Sequence, residues 1–140
     1  MEPFLFTFHH LGVAVHSIEE ALPFYEKVLG YRLESGPFDD PIQKVTVCFL
    51  TKEAPGEVVE LIAPLSEPSP IREVLRKGGG AYHTCYSVPD LDATVRMLCD
   101  EQECRLISGP VPAVAFGQRR IAWIYTSAQH LLELVESAKS

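Results

Sequence analysis

Two short apolar stretches of the chain, VVELI and LLELV, each enclose a glutamate: Glu60 and Glu133. A histidine precedes each by the same 50 residues (60 − 10 and 133 − 83): His10 and His83. A carboxylate inside an apolar strand is costly unless it is paired, protonated or bound to a metal. Taken singly, each residue has a plainer reading. His10 could be a strand-start histidine near solvent with His9 as its rival, Glu60 an edge-strand acid, and Glu133 a surface residue beside Glu136. The shared spacing selects the metal reading instead. Two imidazoles and two carboxylates suit one divalent ion of borderline softness (Zn, Ni, Co or Mn), and a set without thiolates argues against a structural zinc. On a six-coordinate ion four protein ligands leave two positions for substrate oxygens. Such a Lewis acid can chelate a substrate with adjacent carbonyl and oxygen groups and stabilise an enolate or enediolate.

The elements that must position these residues form a repeat. HLGVAVHSIEEALPFYEKVLGYRLESGP, from His10, and HTCYSVPDLDATVRMLCDEQECRLISGP, from His83, align without a gap at an offset of 73 (83 − 10). Ser17 and Asp90 are N-cap residues, with Glu19 and Glu20, or Asp92, in the first turn that follows. Apolar residues then recur at helical spacing: Ile18, Ala21, Leu22, Tyr25, Val28 and Leu29, and Leu91, Val95 and Leu98. Gly30 suits a helix C-terminal cap, whereas Gln102 ends the second helix, so a different closure is expected there. Strand alternation puts His10, Gly12 and Ala14 on one face and Leu11, Val13 and Val15 on the face toward the helix. His83, Cys85 and Ser87 alternate in the same way with Thr84, Tyr86 and Val88. Further strands are expected over 31–35, 44–51 and 58–62, and over 105–108, 118–125 and 130–135.

The expected fold class is therefore α+β: two tandem β-α-β-β-β modules with pseudo-twofold symmetry. They span 7–65 and 81–138, joined by a connector over 66–80 that carries a short helix near 70–77 and a Gly78–Gly80 break. One four-stranded sheet with one helix is too small to close a barrel, so the modules combine into one structural domain.

Bulk composition narrows the partners. The chain has 140 residues, 46% hydrophobic and 22% charged, which fits one globular domain. A net charge of −7 argues against nucleic acid and anionic membranes and leaves a small-molecule substrate. No apolar run reaches the roughly 18 residues of a membrane span, and no signal peptide is evident at the N-terminus. Cys48, Cys85, Cys99 and Cys104 show no CxxC or zinc-knuckle spacing, so reduced thiols in the cytoplasm are expected.

From about Phe8 to Glu136 the chain resembles the vicinal oxygen chelate superfamily, above all its methylmalonyl-CoA epimerase and short bacterial glyoxalase-I-like branches. HHLGVAVHSIEEALPFYEKVLGY resembles the family's opening strand and helix, VVELIAPLSEPSPIREVLRKGGGAYHTCYSVPDLDA its central stretch, and RRIAWIY with LLELVE its last two strands. The resemblance implies paired modules with sheets curled around a metal-binding cup, usually in a homodimer, with one divalent ion per site. It carries the ligands onto His10, Glu60, His83 and Glu133, and a general-base role onto Glu133. Glutamine is frequent at the second ligand position in epimerases, so Glu60 follows the glyoxalase-like choice. Some relatives keep a second glutamate near the position of Val47, which cannot move a proton, and Glu60 is then the mirrored candidate for the other base. The implied activity is epimerisation of an acyl-CoA such as methylmalonyl-CoA. The alternatives are a glyoxalase-I-type lactoylglutathione lyase, another small-molecule lyase or isomerase, and a non-catalytic antibiotic-binding protein. His130, in the short turn YTSAQHLLE, reads as a surface residue that could reach the site, and Lys77, Arg119 and Arg120 as candidates for a coenzyme A phosphate.

Overall fold

The computed structural model describes residues 4–54 and 56–138. In chain order the elements are β1 (Thr7–Ala14), α1 (Ile18–Lys27), β2 (Arg32–Asp40), β3 (Val45–Thr51), β4 (Val59–Pro64), α2 (Ile71–Arg76), β5 (Gly80–Val88), α3 (Leu91–Glu101), β6 (Arg105–Pro112), β7 (Arg120–Tyr125) and β8 (Leu131–Glu136). The chain divides into two compact units, one from His10 to Tyr82 and one from His83 onward that includes the segment up to His9.

In the first unit the strand order is β2-β3-β4-β1. β1 runs parallel to β4, with Leu11 beside Val59 and Gly12 beside Glu60, and β2, β3 and β4 are mutually antiparallel neighbours. One sheet face packs on α1 through Val13, Ile18, Cys48, Leu50, Val59, Leu61 and Ala63. By alternation, His10, Gly12, Val47, Phe49, Glu60 and Ile62 fall on the opposite face. The second unit repeats this plan as β5-β8-β7-β6. β5 is parallel to β8, and α3 covers the face formed by Val88, Ala122, Ile124, Leu132 and Leu134. His83, Cys85, Ile121, Trp123, Glu133 and Val135 take the other face.

Both helices start as the sequence predicts. Ser17 Oγ accepts from the Glu20 N–H at 3.2 Å, and Asp90 Oδ1 from the Ala93 N–H at 3.0 Å. The helix ends correct the expectation. Gly30 closes α1 at φ +82, with the Tyr31 N–H donating to the Tyr25 carbonyl at 2.9 Å. α3 closes in the same way: Glu103 takes φ +55, and the Cys104 N–H donates to the Leu98 carbonyl at 3.1 Å. The residue opposite Gly30 is Glu103, not Gln102, and geometry has overruled its preference. A non-glycine residue in this region carries a cost of roughly 1 kcal/mol. Glu103 is exposed, so Glu103→Gly is expected to stabilise the fold by about 0.5 kcal/mol after the extra chain entropy of glycine is offset. Urea denaturation would show this as a raised midpoint with an unchanged slope.

The strands β2 and β6 run past Ser35 and Ser108, where the sequence predicts their ends. The Gly-Pro pairs that follow do not stop them; they make matching bulges. Register slips between Ser35 and Phe38 against β3, and between Ser108 and Val111 against β7. Gly36 and Gly109 sit there at φ +91 and +88, where a Cβ would lie 2.8 Å from the Val47 carbonyl oxygen and 2.5 Å from that of Ile121. Only glycine fits, and the proline after it is tolerated because β2 and β6 each end their strand order. β7 starts at Arg120 and not at Gln118, because Val114–Phe116 form a 3-10 turn closed by a bond from the Gln118 N–H to the Ala113 carbonyl.

Candidate active site

In the first unit His10 stands on β1 and Glu60 on the adjacent β4, on the sheet face away from α1. His10 Nε2 lies 3.1 Å from Glu60 Oε1. In the second unit His83 and Glu133 occupy the matching strands, with His83 Nε2 3.3 Å from Glu133 Oε1. His10 is wholly buried and the other three are at most 4% exposed. The parallel pairing of each histidine strand with its glutamate strand produces both pairs: Gly12 is level with Glu60, and Cys85 with Glu133.

One such pair could be satisfied as a simple buried ion pair. The spacing also suits metal ligation. Bonds of about 2.1 Å place adjacent ligand atoms about 3.0 Å apart at right angles and about 3.4 Å apart at the tetrahedral angle, and both distances lie within that range. The donor types fit as well, since two carboxylates balance the charge of a divalent ion and neutral imidazoles complete a borderline set.

Two residues that the sequence reading passed over complete each half. Phe49 on β3 is the register partner of Glu60, and its ring meets the His10 ring at 5.3 Å and 62°. Trp123 on β7 is the partner of Glu133, and its ring meets His83 at 4.8 Å and 85°. An aromatic inside each third strand, Phe49 in KVTVCFL and Trp123 in RRIAWIY, was the available signal. It becomes meaningful only once the strand register is known.

The remaining candidates separate. His9 lies against the Phe116 ring at 5.1 Å. His130 is exposed, in a turn where its carbonyl accepts from the Thr126 N–H at 2.9 Å. Val47 is buried opposite Ile62, and its counterpart Ile121 is buried opposite Val135, so neither third strand offers a base at that level. Burial pushes the Cys48 thiol up to about 11, which leaves it inert as a nucleophile.

Of the cations considered for a phosphate, the two arginines are engaged within the protein. Arg120 holds Asp92 and Glu136, each at 2.8 Å, and these two carboxylates keep it firmly protonated and more than offset its charge. Arg119 donates to the carbonyls of Phe116 and Glu136 at 3.2 Å each. Lys77 is exposed, 3.8 Å from Glu73. Glu136 is thus an ion-pair partner rather than an idle surface acid.

Among the described residues no helix is long and apolar enough to cross a membrane. The model of the Glyoxalase/Bleomycin resistance protein/Dioxygenase superfamily matches residues 9–123. The ethylmalonyl-CoA/methylmalonyl-CoA epimerase of Cereibacter sphaeroides is 33% identical over 119 residues, covering 84% of this chain and 86% of that one. Among solved structures, a hypothetical protein from Bacillus halodurans superposes with a TM-score of 0.83 at 30% identity, covering 96% of both chains. The methylmalonyl-CoA epimerase from Mycobacterium tuberculosis gives 0.81 at 28% identity, covering 95% of this chain and 89% of the other. These likenesses bear out the paired-module fold and the resemblance read from the motifs. By fold, by duplicated His–Glu pairs and by a match spanning most of its length, the chain belongs to the Glyoxalase/Bleomycin resistance protein/Dioxygenase superfamily.

Proposed function

We propose that this chain is an epimerase of the methylmalonyl-CoA type, acting on a small acyl-CoA thioester, with His10, Glu60, His83 and Glu133 as ligands of one divalent ion. The observation that carries the reading is the duplicated buried His–Glu pair, with donor atoms 3.1 and 3.3 Å apart in the two halves. The Cereibacter relative supports the substrate class by its own activity. Zn, Ni, Co and Mn all suit the donor set. The reading includes a homodimer in a reducing cytoplasm, which the family likeness and four free cysteines support.

When bound, the ion supplies a Lewis acid that polarises the substrate carbonyl and makes the neighbouring carbon acidic. The chain's own residues do the rest. His10 and His83 fix the donor geometry with rings held against Phe49 and Trp123. Glu133 takes the proton from the carbon next to the carbonyl, and Glu60, its counterpart, serves the opposite face. In each unit the apolar neighbours on the glutamate's sheet face, Val47 and Ile62 in the first and Ile121 and Val135 in the second, are buried, and a dry setting strengthens charge interactions.

Assaying purified protein with methylmalonyl-CoA and with a methylglyoxal–thiol adduct, alongside a metal analysis, tests this directly. Turnover of the thioester with at least one equivalent of metal is the expected result. Turnover of the adduct alone would move the protein to the glyoxalase-type lyases. Less than about half an equivalent of divalent metal and no turnover would favour a non-catalytic binder.

A further inference from the structure

We propose that Trp123 is a positioning residue for the metal site: its ring edge holds the His83 imidazole in the ligating orientation. The inference rests on the metal reading above and extends it to a residue outside the ligand set. Trp123 neighbours both members of the second pair, as the register partner of Glu133 and as the T-shaped neighbour of the His83 ring at 4.8 Å and 85°. A strand histidine has a broad two-fold torsion at its ring, and a neighbouring ring restricts which nitrogen faces the ion. An aromatic set edge-to-face beside the ring favours one of those orientations.

The first half shows that this is a built feature. Phe49 is the register partner of Glu60 and meets the His10 ring at 5.3 Å and 62°. The two aromatics are 74 residues apart (123 − 49), one more than the repeat offset, so strand pairing rather than sequence spacing makes them equivalent. The first half works with a phenyl ring in this place, so a phenyl ring should serve in the second. Trp123 is also the sole tryptophan of the chain, which makes its emission a direct report on His83.

The test uses metal-stripped wild type, Trp123→Leu and Trp123→Phe, each titrated with Co2+ alone. Binding is read by calorimetry and by the visible Co2+ spectrum, with tryptophan quenching in wild type as a third signal. Trp123→Leu is expected to weaken Co2+ binding about tenfold while far-ultraviolet circular dichroism stays unchanged. Trp123→Phe is expected to restore affinity to within about threefold of wild type. Should Trp123→Leu fail to fold, Phe49→Leu takes its place, with the same tenfold loss expected on the His10 side. Leucine variants that bind Co2+ as wild type does would overturn the proposal, and so would a phenylalanine variant as weak as the leucine one. Wild type that binds no Co2+ would remove the metal reading and this proposal together, which separates the two failures.

Discussion

Replacing Glu133 with glutamine is expected to lower epimerisation about 10³-fold while metal content stays near wild type. Glutamine keeps an oxygen that can ligate, but it cannot accept the proton. Epimerisation removes a proton from one face of a carbon and returns one to the other, so a second base must exist. Near Val47, where some relatives of this family carry a glutamate, the chain is apolar, and the counterpart position in the second unit is Ile121. Glu60 is the acid left in the matching place, buried and 3.1 Å from its histidine as Glu133 is 3.3 Å from its own. Glu60→Gln should therefore be about as damaging as Glu133→Gln to net epimerisation. Deuterium wash-in separates the two roles. Each single variant should still exchange the proton of one hand of the substrate in D2O and lose exchange for the other hand, and the double variant should lose both. Unchanged exchange with both hands in both single variants would sink the two-base assignment.

Much of the fold was legible because the chain states it twice. The gapless alignment from His10 and His83 fixed the strand-helix-strand order, and the caps at Ser17 and Asp90 bond as their residue types require. The expected end of α3 missed by one residue, because the 73-residue offset aligns Gly30 with Glu103 and not with Gln102. Glu103 is a poor choice for a left-handed position, yet it is aligned with Gly30 and closes α3 as Gly30 closes α1. The expected strands stop at Ser35 and Ser108, just before Gly36-Pro37 and Gly109-Pro110, and proline cannot donate to a ladder. On strands that end their sheet order that donor is not needed, and the bulges let β2 and β6 continue.

The His–Glu pairs were legible for a different reason: a buried acid in an apolar strand demands an explanation, and the shared spacing supplied one. Alternation then placed His10 and His83 on the faces away from the helices, as found. Phe49 and Trp123 stayed hidden because they look like ordinary strand aromatics until cross-strand register sets them beside Glu60 and Glu133. Arg120 makes a related point. A basic pair suggests a phosphate, but partners 16 and 28 residues away from Arg120 already satisfy its guanidinium. Charge in a sequence shows what is available, and only pairing shows what is free.

Stripping the metal should cost the protein about 10 °C in melting temperature. An ion present at a thousand times its dissociation constant stabilises the folded state by about 4 kcal/mol. For a chain of this size each kcal/mol moves the midpoint by roughly 3 °C. A chelator such as EDTA should therefore lower the transition by that amount, and Co2+, Mn2+ or Zn2+ added in excess should restore it. Comparing variants by their chelator-induced shift removes the cost of the substitution itself, which matters because losing a histidine leaves a buried glutamate without its neighbour. The two halves present the same donors at nearly the same distance, so His10→Ala and His83→Ala should each abolish most of the shift and to a similar degree. A large shift that survives in His10→Ala but not in His83→Ala would mean that only the second pair ligates. No shift in wild type, with no metal in the purified protein, would leave the two buried glutamates as ion-pair partners of their histidines and nothing more.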